Sequence, residues 1–231
     1  MNMAIYRKSA CLAVVALLLV APALPAEDEV PQVTPEGMKL LKRTDSRVVY
    51  VMPGATLEPY TKVALLDCYV AFAKDWEHDY NRDVTPDRRI RTSDMERIKA
   101  DLAEEFRKIF TEELTGAGHD VVDTAGRDVL VVRPAIVNLE PTAPDVRSAA
   151  FSHVIVRSAG QMTLFMELYD SETSAIIARI LDAEADDRTF AQEANRTTNR
   201  MAADRILRSW AEELARHLGA VRKETTASRP E

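Results

Sequence analysis

The chain has 231 residues, a formal net charge of −7, 46% hydrophobic residues and two cysteines. The acidic balance argues against nucleic acid and anionic membrane surfaces as default partners, because both carry negative charge. A chain of this size can bury roughly 70% of its unfolded surface, so one hydrophobic core can carry the stability without disulfides.

The first residues have the pattern of a secretory signal peptide. Two basic residues precede an apolar run over residues 10–23, which is shorter than the about 20 residues that span a bilayer. Cleavage could follow Ala23 or Ala26, and Ala26 is favoured because an acidic start follows it. We expect residues 1–26 to be removed, which lowers the charge from −7 to −9, and the mature protein to be periplasmic without a transmembrane segment.

Neither cysteine indicates an anchor or a disulfide. Cys11 lies at the front of the apolar run rather than just after it, so no lipid-anchor cysteine is recognised. Cys68 is alone after cleavage, and its apolar surroundings predict a buried small side chain rather than a nucleophile. Residues 27–36 are expected to form a flexible leader before a folded domain over residues 37–219.

The stretch from Arg47 to Trp76 predicts two strands joined at a Pro-Gly connection. Its second strand, ending at Phe72, is apolar on both faces and is therefore expected to be central in a sheet. Asp67 is the exception, since a carboxylate held away from water needs hydrogen-bond donors or a cation. It is structural or part of a site.

The polar segment from Trp76 to Arg91 is predicted to be a loop. Trp76 and Tyr80 either pack this loop onto the domain or supply a contact for a partner, since amphipathic aromatic side chains serve both purposes.

The first long helix is predicted to begin with a capping box of Ser93 and Glu96 and to end at Gly116 and Gly118. Apolar residues recur along it at spacings of three and four. A second helix, anchored by Trp210, is predicted from Thr198 to Gly219, with residues 220–231 as a disordered tail.

Between the two helices the pattern returns to strands. Pro134 cannot donate to a sheet ladder, so its strand is expected at an edge or bulged there. Arg133 needs a carboxylate, and Asp67 is one candidate.

Residues 161–183 predict a β-hairpin with Tyr169 opposite Ala175 and Phe165 opposite Arg179. The face that carries these four side chains is either covered by a helix or is a binding surface, and a covering helix is favoured.

An acidic cluster of Asp182, Glu184, Asp186 and Asp187 follows the hairpin. It lacks the glycine turn and terminal glutamate of a calcium loop, so no metal is predicted. Together the elements predict one α+β domain, with a mixed, mostly antiparallel sheet of five to six strands packed by two amphipathic helices.

The segment YVMPGATLEPYTKVALLDCYVAFAKDW, from Tyr50 to Trp76, resembles the bacterial envelope family catalogued as domain of unknown function 3313. The later segments resemble the same family in the same order along the chain: DVLVVRPAIVNLEPT, then the hairpin, then the helix that contains Trp210. The resemblance implies a secreted, often lipid-anchored α+β domain without assigned activity or catalytic residues. Two departures are the missing anchor cysteine and Ser174, which stands where the hairpin turn usually has glycine.

The sequence lacks the common catalytic and cofactor-binding motifs: a nucleophile elbow, a metalloprotease histidine pair, a P-loop, a dinucleotide-binding glycine pattern and a C-x-x-C pair. No cofactor is predicted. The leading hypothesis is a non-catalytic binding or assembly module that contacts another envelope protein, with Trp76, Tyr80, Asp67 and Arg133 as candidate binding residues. One alternative is a hydrolase or small-ligand enzyme that uses Asp67, Arg133 and Asp182 in one pocket. Another is a self-associating structural protein.

Overall fold

The computed structural model describes residues 30–141, 154–156, 160–185, 192–194 and 196–227. The described residues from Gln32 onward belong to one compact unit. The predicted signal peptide lies outside the described residues. Within the described part of the chain, no helix is long and apolar enough to cross a membrane.

An eight-stranded mixed sheet forms the centre of the fold. Its strands are β1 (Lys39–Arg43), β2 (Arg47–Val51), β3 (Lys62–Leu65), β4 (Tyr69–Phe72), β5 (Asp120–Val121), β6 (Val129–Pro141), β8 (Gly160–Asp170) and β9 (Ile176–Ala185). They lie in the order β1-β2-β9-β8-β6-β3-β5, and β4 also pairs with β6. β7 (Val154–Val156) and β10 (Gln192–Ala194) form a separate antiparallel pair.

Three α-helices accompany the sheet in the described residues: α1 (Trp76–Asp83), α2 (Thr92–Gly116) and α3 (Arg196–Ala227). Side chains of α2 and α3 share one hydrophobic core with one face of the sheet. The centre of this core is fully buried and includes Phe106, Phe110, Leu207, Leu130 and Leu164. Phe106 and Phe110 stack with ring centroids 3.9 Å apart.

The structure confirms an α+β fold with a mixed sheet, but the prediction of five to six strands is too low. The long apolar strand predicted up to Phe72 is two strands, because the chain leaves the sheet at residues 66–68. The segment from Met38 to Lys42 could be one helical turn by its sequence, but residues Lys39–Arg43 pair with β2 as a strand. The segment from Trp76 to Asp83, predicted as loop, is helix α1.

Pro134 was predicted to lie at an edge or at a bulge, and the structure shows neither: it lies inside the sheet, where the pairing of β6 with β8 is regular from Leu130 to Val137. β6 pairs with β8 on one side and, in parallel, with β3 and then β4 on the other. The β3 pairing ends at Val132 and the β4 pairing begins at Ala135. Pro134 therefore occupies the gap between two strands, where a missing N–H interrupts no ladder on that side.

The beginning of α2 also differs from its prediction. The helix starts at Thr92, and the backbone N–H of Arg91 donates to Asp94 Oδ2 at 3.1 Å. Glu96 instead accepts a hydrogen bond from Lys99 Nζ at 2.8 Å. The predicted end is confirmed, since α2 ends at Gly116 and Gly118 has a positive φ of 85°. The last helix continues to Ala227, past its predicted end at Gly219.

The β8–β9 hairpin is present, with a register different from the predicted one. Tyr169 lies opposite Ile176, and a bulge follows between Leu168 and Tyr169. As a result Glu167, and not Phe165, lies opposite Arg179. The prediction assumed a regular ladder, which a bulge shifts by one residue on one strand.

The hairpin turn places a serine in a conformation that favours glycine. Ser174 has a φ of 57°, and its N–H donates to Asp170 O at 2.9 Å. A left-handed backbone costs an ordinary residue roughly 1 kcal/mol or more.

We predict that Ser174→Gly raises the free energy of unfolding by about 0.5–1 kcal/mol, because glycine adopts this conformation without steric cost. Urea unfolding followed by circular dichroism measures the change. Ser46→Gly, at an exposed position with ordinary φ, is the matched control and is expected to destabilise. If Ser174→Gly and Ser46→Gly lowered the free energy of unfolding by the same amount, the turn at Ser174 would not be strained.

Candidate functional site

The candidate site lies on the face of the sheet opposite α2 and α3, which we call the open face. Side chains alternate along a strand, so the neighbours of core residues such as Val132 and Met166 point to the open face. These open-face residues are Val131, Arg133 and Ala135 on β6, Phe165, Glu167 and Tyr169 on β8, Arg179 and Leu181 on β9, and Val48 and Tyr50 on β2. The two predicted helices, α2 and α3, both pack on the other face, so among the described residues neither of them is the covering helix predicted here.

A buried carboxylate organises the centre of the open face. Glu167 is 2% exposed. Its Oε1 accepts a hydrogen bond from Arg179 Nε at 2.8 Å, and its Oε2 accepts one from the Tyr169 hydroxyl at 2.7 Å. Arg133 Nη2 lies 2.7 Å from the same Oε2. Two guanidinium groups and a phenol thus satisfy a charge that would otherwise be costly to bury.

Aromatic rings support both arginines of this cluster. The Arg133 guanidinium carbon lies 5.6 Å from the centroid of Tyr169, and that of Arg179 lies 5.9 Å from the centroid of Phe165. Both distances allow a cation–π attraction. Burial and the hydrogen bond to Glu167 raise the pKa of the Tyr169 hydroxyl, so this hydroxyl remains a donor at neutral pH.

The N-terminal part of the domain reaches one side of the open face. Glu36 Oε1 lies 3.2 Å from Arg179 Nη2. A hydrogen bond from Thr34, then a backbone hydrogen bond and then the hydrogen bond from Arg179 lower the Glu36 pKa to about 2. On this side of the face Tyr50 is only 5% exposed, so β2 and β9 are the better covered part.

The opposite side of the open face, near β4, is accessible to solvent. Tyr69 begins β4 opposite Ala135 and is 67% exposed, and Leu66, directly after β3, is 44% exposed. The Arg133 side chain is 57% exposed. A leucine, a tyrosine and an arginine therefore meet water where β3 and β4 separate.

An aromatic stack continues from the end of β4 into α1. The rings of Phe72 and Trp76 are 4.7 Å apart, and those of Trp76 and Tyr80 are 5.4 Å apart. All three side chains are half-buried. Burial raises the pKa of the Tyr80 hydroxyl. The two predicted binding residues Trp76 and Tyr80 thus form one continuous surface, because four-residue spacing places them on one side of a helix.

Asp67 does not occupy the position inferred from the strand pattern. It lies in the break between β3 and β4, and its side chain is fully exposed. Its carboxylate is 3.5 Å from Arg107 on α2, whose Nη1 also donates to Leu65 O at 2.9 Å. The proposed pairing with Arg133 is wrong, because Arg133 pairs with Glu167 on the next strand.

Asp182 lies on the core face of β9 and is 2% exposed. Its carboxylate pairs with Arg47, which also pairs with Glu213 on α3. The hydrogen bond that Arg47 donates to Asp182 contributes most to raising the Arg47 pKa. Burial acts to raise the pKa of Glu213, but its bond with Arg47 outweighs this and lowers the pKa overall. Asp182 therefore serves an ion pair that joins β2, β9 and α3.

The rest of the acidic cluster is only partly described. Burial, followed by repulsion from Asp182, raises the pKa of Glu184. Asp186 and Asp187 lie outside the described residues. Within the described ranges, no group of three or more histidine, cysteine, aspartate or glutamate side chains is arranged to hold a metal ion.

The three residues of the enzyme alternative do not converge. Arg133 lies on the open face, Asp182 on the core face and Asp67 in the loop between β3 and β4. Cys68 is 7% exposed, and burial raises its thiol pKa to about 12, which leaves no thiolate at neutral pH.

Glu167 is the residue that sequence reasoning missed. It is an acidic residue in an otherwise apolar strand, two residues before Tyr169 and close to an arginine on the partner strand. This signal was present, but the predicted register placed Arg179 opposite Phe165 instead.

We predict that Glu167→Ala lowers the free energy of unfolding by about 3 kcal/mol, because two arginines lose their shared acceptor. Urea unfolding provides the measurement. The matched variant Arg133→Ala is expected to lower the free energy of unfolding by clearly less, because Glu167 still contacts Arg179 and Tyr169. If both variants lost the same amount, Glu167 would not be the organising residue of the open face.

Comparisons with known proteins give a family and weak structural similarities. The search of curated proteins found no similar sequence. A PelC dodecamer structure from Paraburkholderia phytofirmans is similar with a TM-score of 0.39 and 13% identity, over 75% of this chain and 97% of that one. A minor lipoprotein from Acinetobacter baumannii has a TM-score of 0.35 and 13% identity, over 71% of this chain and 95% of that one. Similarities this weak assign neither a fold nor a function.

The family model described as "Protein of unknown function (DUF3313)" matches residues 37–214. This confirms the resemblance carried by the Tyr50–Trp76 segment and the elements that follow it. Because the match covers more than half of the chain, the protein belongs to the DUF3313 family.

Proposed function

We propose that the protein is an exported, non-catalytic binding or assembly module of the cell envelope, which contacts another envelope protein through the open face near β4. The signal-peptide pattern over residues 1–26 supports the compartment. The observation that carries the binding function is the exposed group of Leu66, Tyr69 and Arg133 on a sheet face that neither α2 nor α3 covers.

The composition of this surface suits protein recognition. Tyrosine, tryptophan and arginine are enriched where binding energy concentrates in protein interfaces. Exposed apolar groups on one continuous surface are uncommon in monomeric proteins without a binding role. The stack of Phe72, Trp76 and Tyr80 follows β4 along the chain. Phe72 packs against the core, so we propose Trp76 and Tyr80 as a second contact, separate from the open face.

The remaining chemistry favours binding over catalysis. The carboxylates described at the open face and beside it are engaged. Glu167 pairs with Arg133 and Arg179, Glu36 pairs with Arg179, and Asp67 lies 3.5 Å from Arg107. Their contacts explain them as structural charges, and no reacting group has to be invoked for them.

We predict that two double variants, Leu66→Ala with Tyr69→Ala and Trp76→Ala with Tyr80→Ala, lose the partner in pull-downs of mature protein from cross-linked periplasm. The reason is the loss of contact area at Leu66 and Tyr69, which are exposed, and at Trp76 and Tyr80, which are half-buried. Mass spectrometry identifies the proteins recovered with each bait.

Leu41→Ala is the matched control, because Leu41 is 68% exposed on β1 at the other edge of the sheet. It is expected to recover the same partner as the unmodified protein. Circular dichroism must show that all baits are folded. Full recovery by both double variants would remove this surface from the proposal. A concentration-dependent dimer abolished by the same variants would indicate self-association instead.

A further inference from the structure

We infer that Arg133 is the specificity-determining contact of the open face, and that it binds a carboxylate of the partner protein beside apolar partner side chains. The inference rests on the proposed function and adds the chemistry that the partner must present: an aspartate or glutamate side chain flanked by apolar residues. It follows from the position of Arg133, from its fixed geometry and from its remaining hydrogen-bonding capacity.

Arg133 lies at an interruption of the sheet. On one side of β6 it faces Glu167 of β8. On the other side, the pairing with β3 ends at Val132 and the pairing with β4 begins at Ala135. No described strand pairs with Arg133 there, and its side chain is 57% exposed. A partner can therefore approach the guanidinium group without displacing a strand.

The guanidinium group is held in place before any partner binds. Its Nη2 lies 2.7 Å from the Glu167 carboxylate, which is itself 2% exposed. Its carbon lies 5.6 Å from the centre of the Tyr169 ring. An arginine that is already oriented loses less side-chain entropy on binding than a free one, so more of its interaction energy appears as affinity.

Arg133 retains capacity for a second carboxylate. A guanidinium group carries five N–H donors in a planar fork, and Glu167 is its ion-pair partner among the described residues. Glu167 also serves Arg179 and Tyr169. Arg179 in turn has Glu36 as a second carboxylate, 3.2 Å away, so the two carboxylates and the two guanidinium groups of the cluster balance in charge. What Arg133 offers a partner is therefore the N–H donors beyond those that Glu167 engages.

Asp67, the carboxylate predicted from the sequence to pair with Arg133, does not compete for it. Asp67 follows Leu66 in the same break between strands, but its carboxylate lies 3.5 Å from Arg107 on α2. The surroundings of Arg133 are instead apolar, with Leu66 44% exposed and Tyr69 67% exposed. Such a rim excludes water around a central ion pair and strengthens it.

The first step of the test places a photo-cross-linking amino acid at position 69 of the full chain, expressed in its own cell. The same group at position 41, on β1, is the control. Mass spectrometry then identifies the partner and the cross-linked peptide. A partner peptide that contains aspartate or glutamate next to apolar residues, captured from position 69 and not from position 41, is the expected result.

The second step measures the affinity of the purified partner for Arg133 variants. Arg133→Ala and Arg133→Glu are expected to bind at least about 30-fold more weakly, and Arg133→Lys to restore only part of the affinity, because a lysine cannot form the planar two-point contact. Exchanging charges, with Arg133→Glu against an arginine at the partner's acidic position, is expected to recover most of the loss.

The outcomes separate this inference from the proposed function. Absence of any adduct from position 69 would overturn the proposed function and the inference with it. An adduct with a second copy of the chain would overturn the partner class of both. An envelope partner whose affinity is unchanged by Arg133→Ala, or whose cross-linked peptide lacks an acidic residue, would overturn the inference and leave the proposed function standing.

Discussion

The constraint on which the structure depends is that both long helices cover the same face of the sheet. Leu130 and Leu164, on the two central strands, and Phe106 and Leu207, on the two helices, are all fully buried in one core. Burial of apolar surface at about 25 cal/mol per Å² makes this layer the main source of stability. The other face is left without a helix from α2 or α3, and its side chains must satisfy one another or face water.

Glu167 allows polar groups to remain on that face. An isolated carboxylate would be unfavourable to bury. Glu167 is not isolated, because one of its oxygens pairs with Arg133 and the other with Arg179. As a result, the two sides of the open face differ in their exposure to water. Toward β2 the face is closed by the N-terminal segment through Glu36, whereas toward β4 it ends in exposed Tyr69 and Leu66. A rigid arginine beside accessible apolar groups follows from the way the charge is buried.

Much of this architecture was predictable from patterns of short range. The periodicity of α2, its glycine end and the existence of the β8–β9 hairpin all depend on neighbouring residues, and the structure confirms them. The failures depend on distant contacts or on single-residue shifts. The bulge near Tyr169 changed which residue faces Arg179, and the break at residues 66–68 moved Asp67 into water. The bulge and the strand break do not change the spacing of apolar residues in the sequence. For this reason the sequence analysis did not identify Glu167 or the exposed group near β4.

The central claim is that the open face near β4 is covered by another protein in the cell, and thiol labelling of Tyr69→Cys tests it most directly. Cys68 is 7% exposed with a thiol pKa of about 12, so it contributes little background to labelling. We expect Tyr69→Cys to react readily with a maleimide in purified protein and slowly in the intact periplasm, while Leu41→Cys reacts equally in both. Equal reactivity of Tyr69→Cys in both settings would contradict it.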